Sequence, residues 1–327
     1  MKQSLELHNV YVLASSTTAG PLESKGPLQS YFSKKYDNQY AGEKSFEDAE
    51  KKMLKDACSM LMSKSSISSK VDMILGGDLS NQINISNYIA SLFKLPFIGV
   101  YGACSTSVLS MIVASSYIET NLINGALCFT SSHNGAAERQ FRYPTEYGIQ
   151  RKETSTWTAT GAGAIVLSNK KSEIKVTRYT LGKVIDWNFK NVNDMGSVMA
   201  PAAYDTLKVH LEDFNIDTTY YDLILTGDLS KVGSEIFKSL LRKDNIEINN
   251  HNDCGLMLYD INCQCIDSGG SGAACSALVT FSYILDKLKK RELKRVLLIA
   301  TGALHSSTSS QQKHSIPAIA HAIALEG

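Results

Sequence analysis

VDMILGGDLS (residues 71–80) and YDLILTGDLS (residues 221–230) are one phrase written twice, 150 positions apart, with seven of ten residues identical. Each copy is followed by an Ala-Cys-Ser, first Ala103-Cys104-Ser105 and then Ala274-Cys275-Ser276. From either cysteine it is 26 residues to a threonine that closes an apolar run, Thr130 in GALCFT and Thr301 in VLLIAT. A repeat near half the chain length predicts a duplicated fold rather than a solenoid of short units. The halves divide near residue 170, as 1–170 and 171–327, with a loop insertion at 131–161 in the first.

Outward from the repeat, apolar strands alternate with helices. Strands are expected at 7–14, 71–75, 97–100, 126–130, 162–168 and 174–181, and again at 222–226, 295–301 and 316–325. Helices are expected at 46–62, 84–94, 104–120, 201–214, 231–242 and 272–290. Such alternation implies mostly parallel α/β sheets. The helix after Cys104 is Ser/Ala/Ile/Val-rich with one charge, Glu119, so it belongs in the interior. Two halves with interior helices give five layers: helix, sheet, buried helices, sheet, helix.

Composition sets limits on function. The 327 residues are 43% hydrophobic and 20% charged, with a net charge of +1, which offers no basic field for nucleic acid or an anionic membrane. Seven cysteines, an odd number in mostly apolar or Gly-rich surroundings, point to a reducing compartment. The N-terminus lacks a signal-peptide apolar core, and no run approaches the ~20 apolar residues of a membrane span. A soluble chain is expected, with any membrane association peripheral.

Cys104, in GVYGACSTS, follows a strand and opens a buried helix. Helix N-termini favour a thiolate, which suits a nucleophile. A cysteine there is equally a small apolar residue at a crowded junction. Local context leaves both open.

The duplication, the strand-to-Cys-helix turn and GGSGAACSA resemble the thiolase superfamily of thiolases and ketoacyl synthases, over essentially the whole chain. That implies an α/β, thiolase-like αβαβα fold, with Cys104 at the nucleophile position. A narrower resemblance rests on SSHNGAAERQFRYPTEYG, TWTATGAGA, DMGSVMAPAAYDT, GGSGAACSA and TGALHSSTSSQQKHSIPAIAHA. These runs look like the stage V sporulation protein AD family of spore-forming bacteria. The resemblance implies a sporulation protein that binds dipicolinic acid (pyridine-2,6-dicarboxylate) for uptake into the developing spore and release in germination. It also implies a homodimer working beside the other stage V sporulation A-operon membrane proteins at the spore inner membrane.

The superfamily's catalytic histidines would fall at Leu225-Thr226-Gly227-Asp228 and at Gly269-Gly270-Ser271-Gly272, and its second cysteine near Thr301-Gly302. No histidine or cysteine stands at these places. A non-catalytic binder is therefore expected, with no cofactor; the alternative is a Cys104-dependent acyltransferase or ketoacyl synthase whose base lies elsewhere. A planar dicarboxylate asks for guanidinium or amide donors and an apolar surface for its ring. His133, Asn134, Arg139, Gln140, Arg142, Tyr143, Tyr147 and Trp157 supply that inventory in one segment. Cys104 and the Gly269–Gly272 turn, through Gly270 and Ser271, would floor the pocket. The competing reading makes the segment a dimer-contact loop whose arginines pair with Glu138 and Glu146. Asp194 is a candidate for calcium chelated by the ligand, or a helix cap. His305 and His314 flank a polar loop and are expected in solvent. His321 is expected to be structural.

Overall fold

The repeated phrase folds the same way twice, as β2 (Met73–Asp78) and β7 (Leu223–Thr226). The computed structural model describes residues 3–141 and 151–327. In the first half the elements are β1 (Ser4–Ala19), α1 (Phe46–Met62), β2, α2 (Asn84–Ser91), β3 (Phe97–Gly99), α3 (Thr106–Glu119), β4 (Gly125–Ser132), α4 (Asn134–Phe141) and β5 (Gly161–Ser168). The second half follows with β6 (Ile174–Thr180), α5 (Met195–Phe214), β7, α6 (Ser230–Lys243) and β8 (His251–Asp253). It ends with α7 (Ala273–Leu278), a π-helical stretch (Val279–Ile284), α8 (Leu285–Lys289), β9 (Arg295–Ala303) and β10 (Ala318–Glu326).

The strand order runs β8-β7-β9-β10-β6-β1-β5-β4-β2-β3. Read outward from the centre, each half places its first strand beside its fifth, then its fourth, second and third. Parallel and antiparallel pairings match between halves: β2 pairs parallel with β3 and β4, as β7 does with β8 and β9. The duplication therefore extends from the sequence to the topology.

Two separate sheets were expected, but one hydrogen-bonded path joins the halves. β1 is twice the expected length. It pairs with β5 over Tyr11–Ala19 and with β6 over Ser4–Val12, with a register shift between Glu6 and Val10. Its Ser/Thr-rich end reads as loop in sequence. It is strand because its hydroxyls are satisfied inside: Ser16 Oγ donates to Ala57 O at 2.5 Å and Thr18 Oγ1 to Met53 O at 3.0 Å. Burying such groups costs little once they are bonded.

The sheet folds over a central layer. α3 is buried on almost every side and touches β2, β4 and β1 as well as β9 and β10. Its twin α7 lies alongside, joined by Ser107 Oγ and Ser276 Oγ at 2.8 Å. α1 and α2 cover the outer face of the first half, and α5 and α6 that of the second. These are the five layers expected.

Two corrections concern the site. The 131–161 segment contains a helix, α4, and the short strand Trp157–Thr158. α5 starts at Met195 rather than near Pro201. Asp194 is its N-cap, accepting from Ser197 N at 3.2 Å and Ser197 Oγ at 2.7 Å, and Pro201 sits inside the helix.

Candidate functional site

The chain enters the site through β3 and turns sharply at Gly102–Thr106. Ala103 takes a left-handed φ of +49°, a conformation that costs a non-glycine residue about 1 kcal/mol or more. Local bonds hold it: Ser105 Oγ donates to Gly102 O (2.6 Å), Thr106 Oγ1 to Ala103 O (2.7 Å), and Gly102 N to Thr106 Oγ1 (3.1 Å). Two glycines press on the turn. A methyl group on Gly77 would lie 1.9 Å from Val100 O, and one on Gly302 2.2 Å from Gly102 O. The result presents Cys104, half-buried, at the start of α3.

Beside Cys104 is a cavity of about 60 Å³. Leu79, Phe141, Met195 and Met199 give it apolar walls, and Thr158, Ser271 and Gly272 line it as well. Thr158 and Ser271 arrive together because Trp157–Thr158 pairs parallel with Gly270–Ser271. Trp157 N donates to Gly269 O (2.8 Å) and Ala159 N to Ser271 O (2.7 Å). Gly272 has φ +103° and packs where a methyl would meet Ser132 Oγ and Thr158 Cγ2 at 2.9 Å. Outward, the cavity shares Tyr101, Phe141 and His305 with an open cleft of about 430 Å³.

Of the residues named from sequence, Cys104 and Ser271 meet at this cavity, and Trp157 flanks it through Thr158. Gly270 lies one residue behind, against the Tyr259 ring. His133 is turned away: it is buried, stacks on Phe46 at 5.0 Å, shares a hydrogen bond with Gln39 O through Nε2 (2.7 Å), and accepts from Gly135 N through Nδ1. Burial pushes its pKa down. Arg139 and Gln140 face a different cleft. Arg139 pairs with Glu47 at 3.7 Å above the Phe46 ring, and Gln140 bonds with Asn81. Arg142, Tyr143 and Tyr147 lie outside the described residues. A helix explains the split, because residues one turn of α4 apart reach the cavity (Ala137, Glu138, Phe141) while those between point elsewhere.

The residue missed is His305. Expected in solvent, it lines the cavity with Cys104 and sits edge-on to Phe141, ring centres 5.8 Å apart. Glu138 and Tyr101 join the lining for the same reason: their nearness is tertiary, and no spacing in sequence signals it. His321, expected to be structural, accepts from Gly182 N at 3.2 Å.

The repeat supplies an internal comparison. Cys275, twin of Cys104, is fully buried, and burial followed by Asp228 raises its pKa strongly. Asp228, twin of Asp78, is itself held well above the usual carboxylate range by burial and by Asp253. Cys275 is sealed in the core, whereas Cys104 opens to the cavity.

Another buried carboxyl ties Thr160 to Tyr259. Glu23 Oε1 accepts from Thr160 N (3.0 Å) and from Tyr259 OH (2.5 Å). Burial raises its pKa from 4.5 to about 7. Folded protein thus keeps a proton that unfolded chain releases above 4.5. This contribution to stability is whole below pH 4.5 and is lost as pH climbs to about 7. At about 1.4 kcal/mol per pH unit, the loss is about 3 kcal/mol. Glu23→Gln has no such loss. In urea unfolding, its stability relative to wild type is expected to rise by about 3 kcal/mol from about pH 4 to about pH 8. A pH-independent difference would refute this.

A family model for stage V sporulation protein AD (SpoVAD) matches residues 1–326. The chain belongs to the SpoVAD family. It is 47% identical to stage V sporulation protein AD of Bacillus subtilis (strain 168) over 321 residues, 98% of this chain and 95% of that protein. Similar solved structures include cerulenin-bound OleA of Xanthomonas campestris (TM-score 0.63, 12% identity, covering 99% of this chain and 100% of that one). Acat5 thiolase of Ascaris suum in complex with coenzyme A has TM-score 0.60 and 12% identity, with 98% and 100% covered. Synthase III for 3-oxoacyl-[acyl-carrier-protein] from Aquifex aeolicus VF5 has TM-score 0.58 and 12% identity, with 97% and 100% covered. At such identities the likeness establishes a thiolase-like fold for this SpoVAD-family chain and nothing about its chemistry. Among the described residues, no helix is long and apolar enough to cross a membrane.

Proposed function

We propose that this sporulation protein binds dipicolinic acid in the Cys104 cavity, without catalysis, for uptake into the developing spore and release in germination. The observation that carries the reading is the cavity's division into apolar walls (Leu79, Phe141, Met195, Met199) and hydroxyls (Thr158, Ser271). Apolar walls suit a pyridine ring, and hydroxyl donors suit a carboxylate. The ligand is taken as the free acid or its calcium chelate. The protein acts as a homodimer, peripheral to the spore inner membrane beside the A-operon membrane proteins.

Calorimetric titration with dipicolinic acid, with and without calcium, tests this, using picolinic and isophthalic acids as controls. Saturable binding that needs both carboxylates and the ring nitrogen is the expected result. Thr158→Val should weaken it roughly ten- to a hundred-fold, the worth of one hydrogen bond to a charged carboxylate. Absence of saturation under every condition would end the proposal.

A second reading is favoured by His305, which places an imidazole in the same cavity as a cysteine. In acyl transfer the Cys104 sulfur would attack a thioester carbonyl and expel coenzyme A thiol. Intact-mass analysis after acyl-CoA incubation decides it. An adduct lost in Cys104→Ala would replace the binding reading with an enzymatic one.

A further inference from the structure

We infer that Arg151 is the anion anchor of the Cys104 cavity, held in place by Trp157 and occupied by Glu138 when no ligand is bound. The inference rests on the dicarboxylate-binding reading and names the cation that reading needs. Among the described residues lining the cavity there is no lysine or arginine, yet there is a carboxylate, Glu138. An acidic side chain in a largely apolar cavity repels an anionic ligand unless its charge is countered. Arg151 counters it, with Nη2 at 3.1 Å from Glu138 Oε1.

Arg151 is prepared for this task. Its guanidinium lies over the Trp157 ring, 4.4 Å from the centroid. That ring belongs to the short strand tied to Gly269–Ser271, the wall that supplies Ser271 to the cavity. A stacked guanidinium loses little freedom when it binds, and its planar fork offers a second pair of donors to another carboxylate. Glu138, with its side chain 12% exposed, is the more buried partner; Arg151, at 28%, keeps an open side. An incoming carboxylate therefore shares or takes over the guanidinium from Glu138. Arg139, the cation one residue beyond Glu138, is committed elsewhere, to Glu47 and Phe46.

The experiment titrates wild type, Arg151→Met, Arg151→Lys and Glu138→Gln with dipicolinate and with its uncharged analogue, pyridine-2,6-dicarboxamide. Wild type should prefer the dicarboxylate. Arg151→Met keeps an apolar stem on Trp157 and should lose roughly ten- to a hundred-fold in dipicolinate affinity, with little change for the dicarboxamide. Arg151→Lys should recover part of the loss. Glu138→Gln should bind dipicolinate more tightly than wild type. Near-UV circular dichroism and melting curves check that each variant is folded; should Arg151→Met unfold, Glu138→Gln and Arg151→Lys carry the test. An unchanged preference in Arg151→Met, or weaker dipicolinate binding in Glu138→Gln, overturns the inference and leaves the binding reading standing. Wild type that binds isophthalate but not dipicolinate removes only the ligand's identity, with the same variants read on isophthalate. Wild type that binds none of these acids ends both.

Discussion

Gly302→Ala is expected to cost the protein about 3 kcal/mol, the range of overpacking against a rigid neighbour, and to abolish the ligand binding proposed for the Cys104 cavity. The added methyl would sit 2.2 Å from Gly102 O, with Ser105 N at 3.2 Å and the Ala103 methyl at 3.3 Å. No flexible side chain can yield there, since the nearest atom is backbone in the turn that carries Cys104. That turn is already strained at Ala103 and is pinned on its opposite side by Gly77. Relief comes only by moving Cys104 or pushing β9 outward, and either changes the cavity. Urea unfolding and dipicolinate titration on the same preparation measure both effects. A variant with wild-type stability and affinity would show the turn to be pliant.

Asp253→Ala should be the more damaging change, with a loss of about 3–5 kcal/mol. Asp253 is fully buried and accepts from Leu229 N, Ser230 N and Gly255 N at 2.9 Å each, and from Thr226 Oγ1 at 2.6 Å. Three backbone donors and a hydroxyl would lose their acceptor together, in a place water does not reach. Ser230 itself sits at a left-handed φ of +52°, so the bonds also hold a conformation that relaxes without them. Asp253→Asn restores one acceptor but presents an amide to the remaining N–H groups, and should recover only part of the loss. Chemical denaturation reads these differences; an alanine variant within about 1 kcal/mol of wild type would refute the account.

The architecture was legible because duplication writes itself into apolar spacing. The two Asp-Leu-Ser phrases mark equivalent strands, and the two Ala-Cys-Ser runs mark equivalent helix starts, with the expected α1 bounds matching those observed. The site was legible only in part. Cys104 and Ser271 sit in motifs whose local geometry fixes where they point. His305 does not: it lies beyond the end of β9 among serines, and only the packing of β9 against the Cys104 turn brings it to the cavity. The 131–161 segment was rich in suitable donors, but composition cannot say which side of a helix a donor takes. α4 turns Glu138 and Phe141 inward and Arg139 outward, against the expected inventory. The loop reading of the Ser/Thr end of β1 failed for a related reason, because hydroxyls bonded to α1 carbonyls are compatible with a buried strand.

The twin cysteines have parted company since the duplication. Cys275 is committed to packing, and a change there is a change in the core. Cys104 has been released from that duty by an opening on its side of the central helices. The molecule thus carries its own control. Any reagent, ligand or substitution that acts on a cysteine at a strand–helix junction can be compared with the same junction, in the same chain, from which the outside has been excluded.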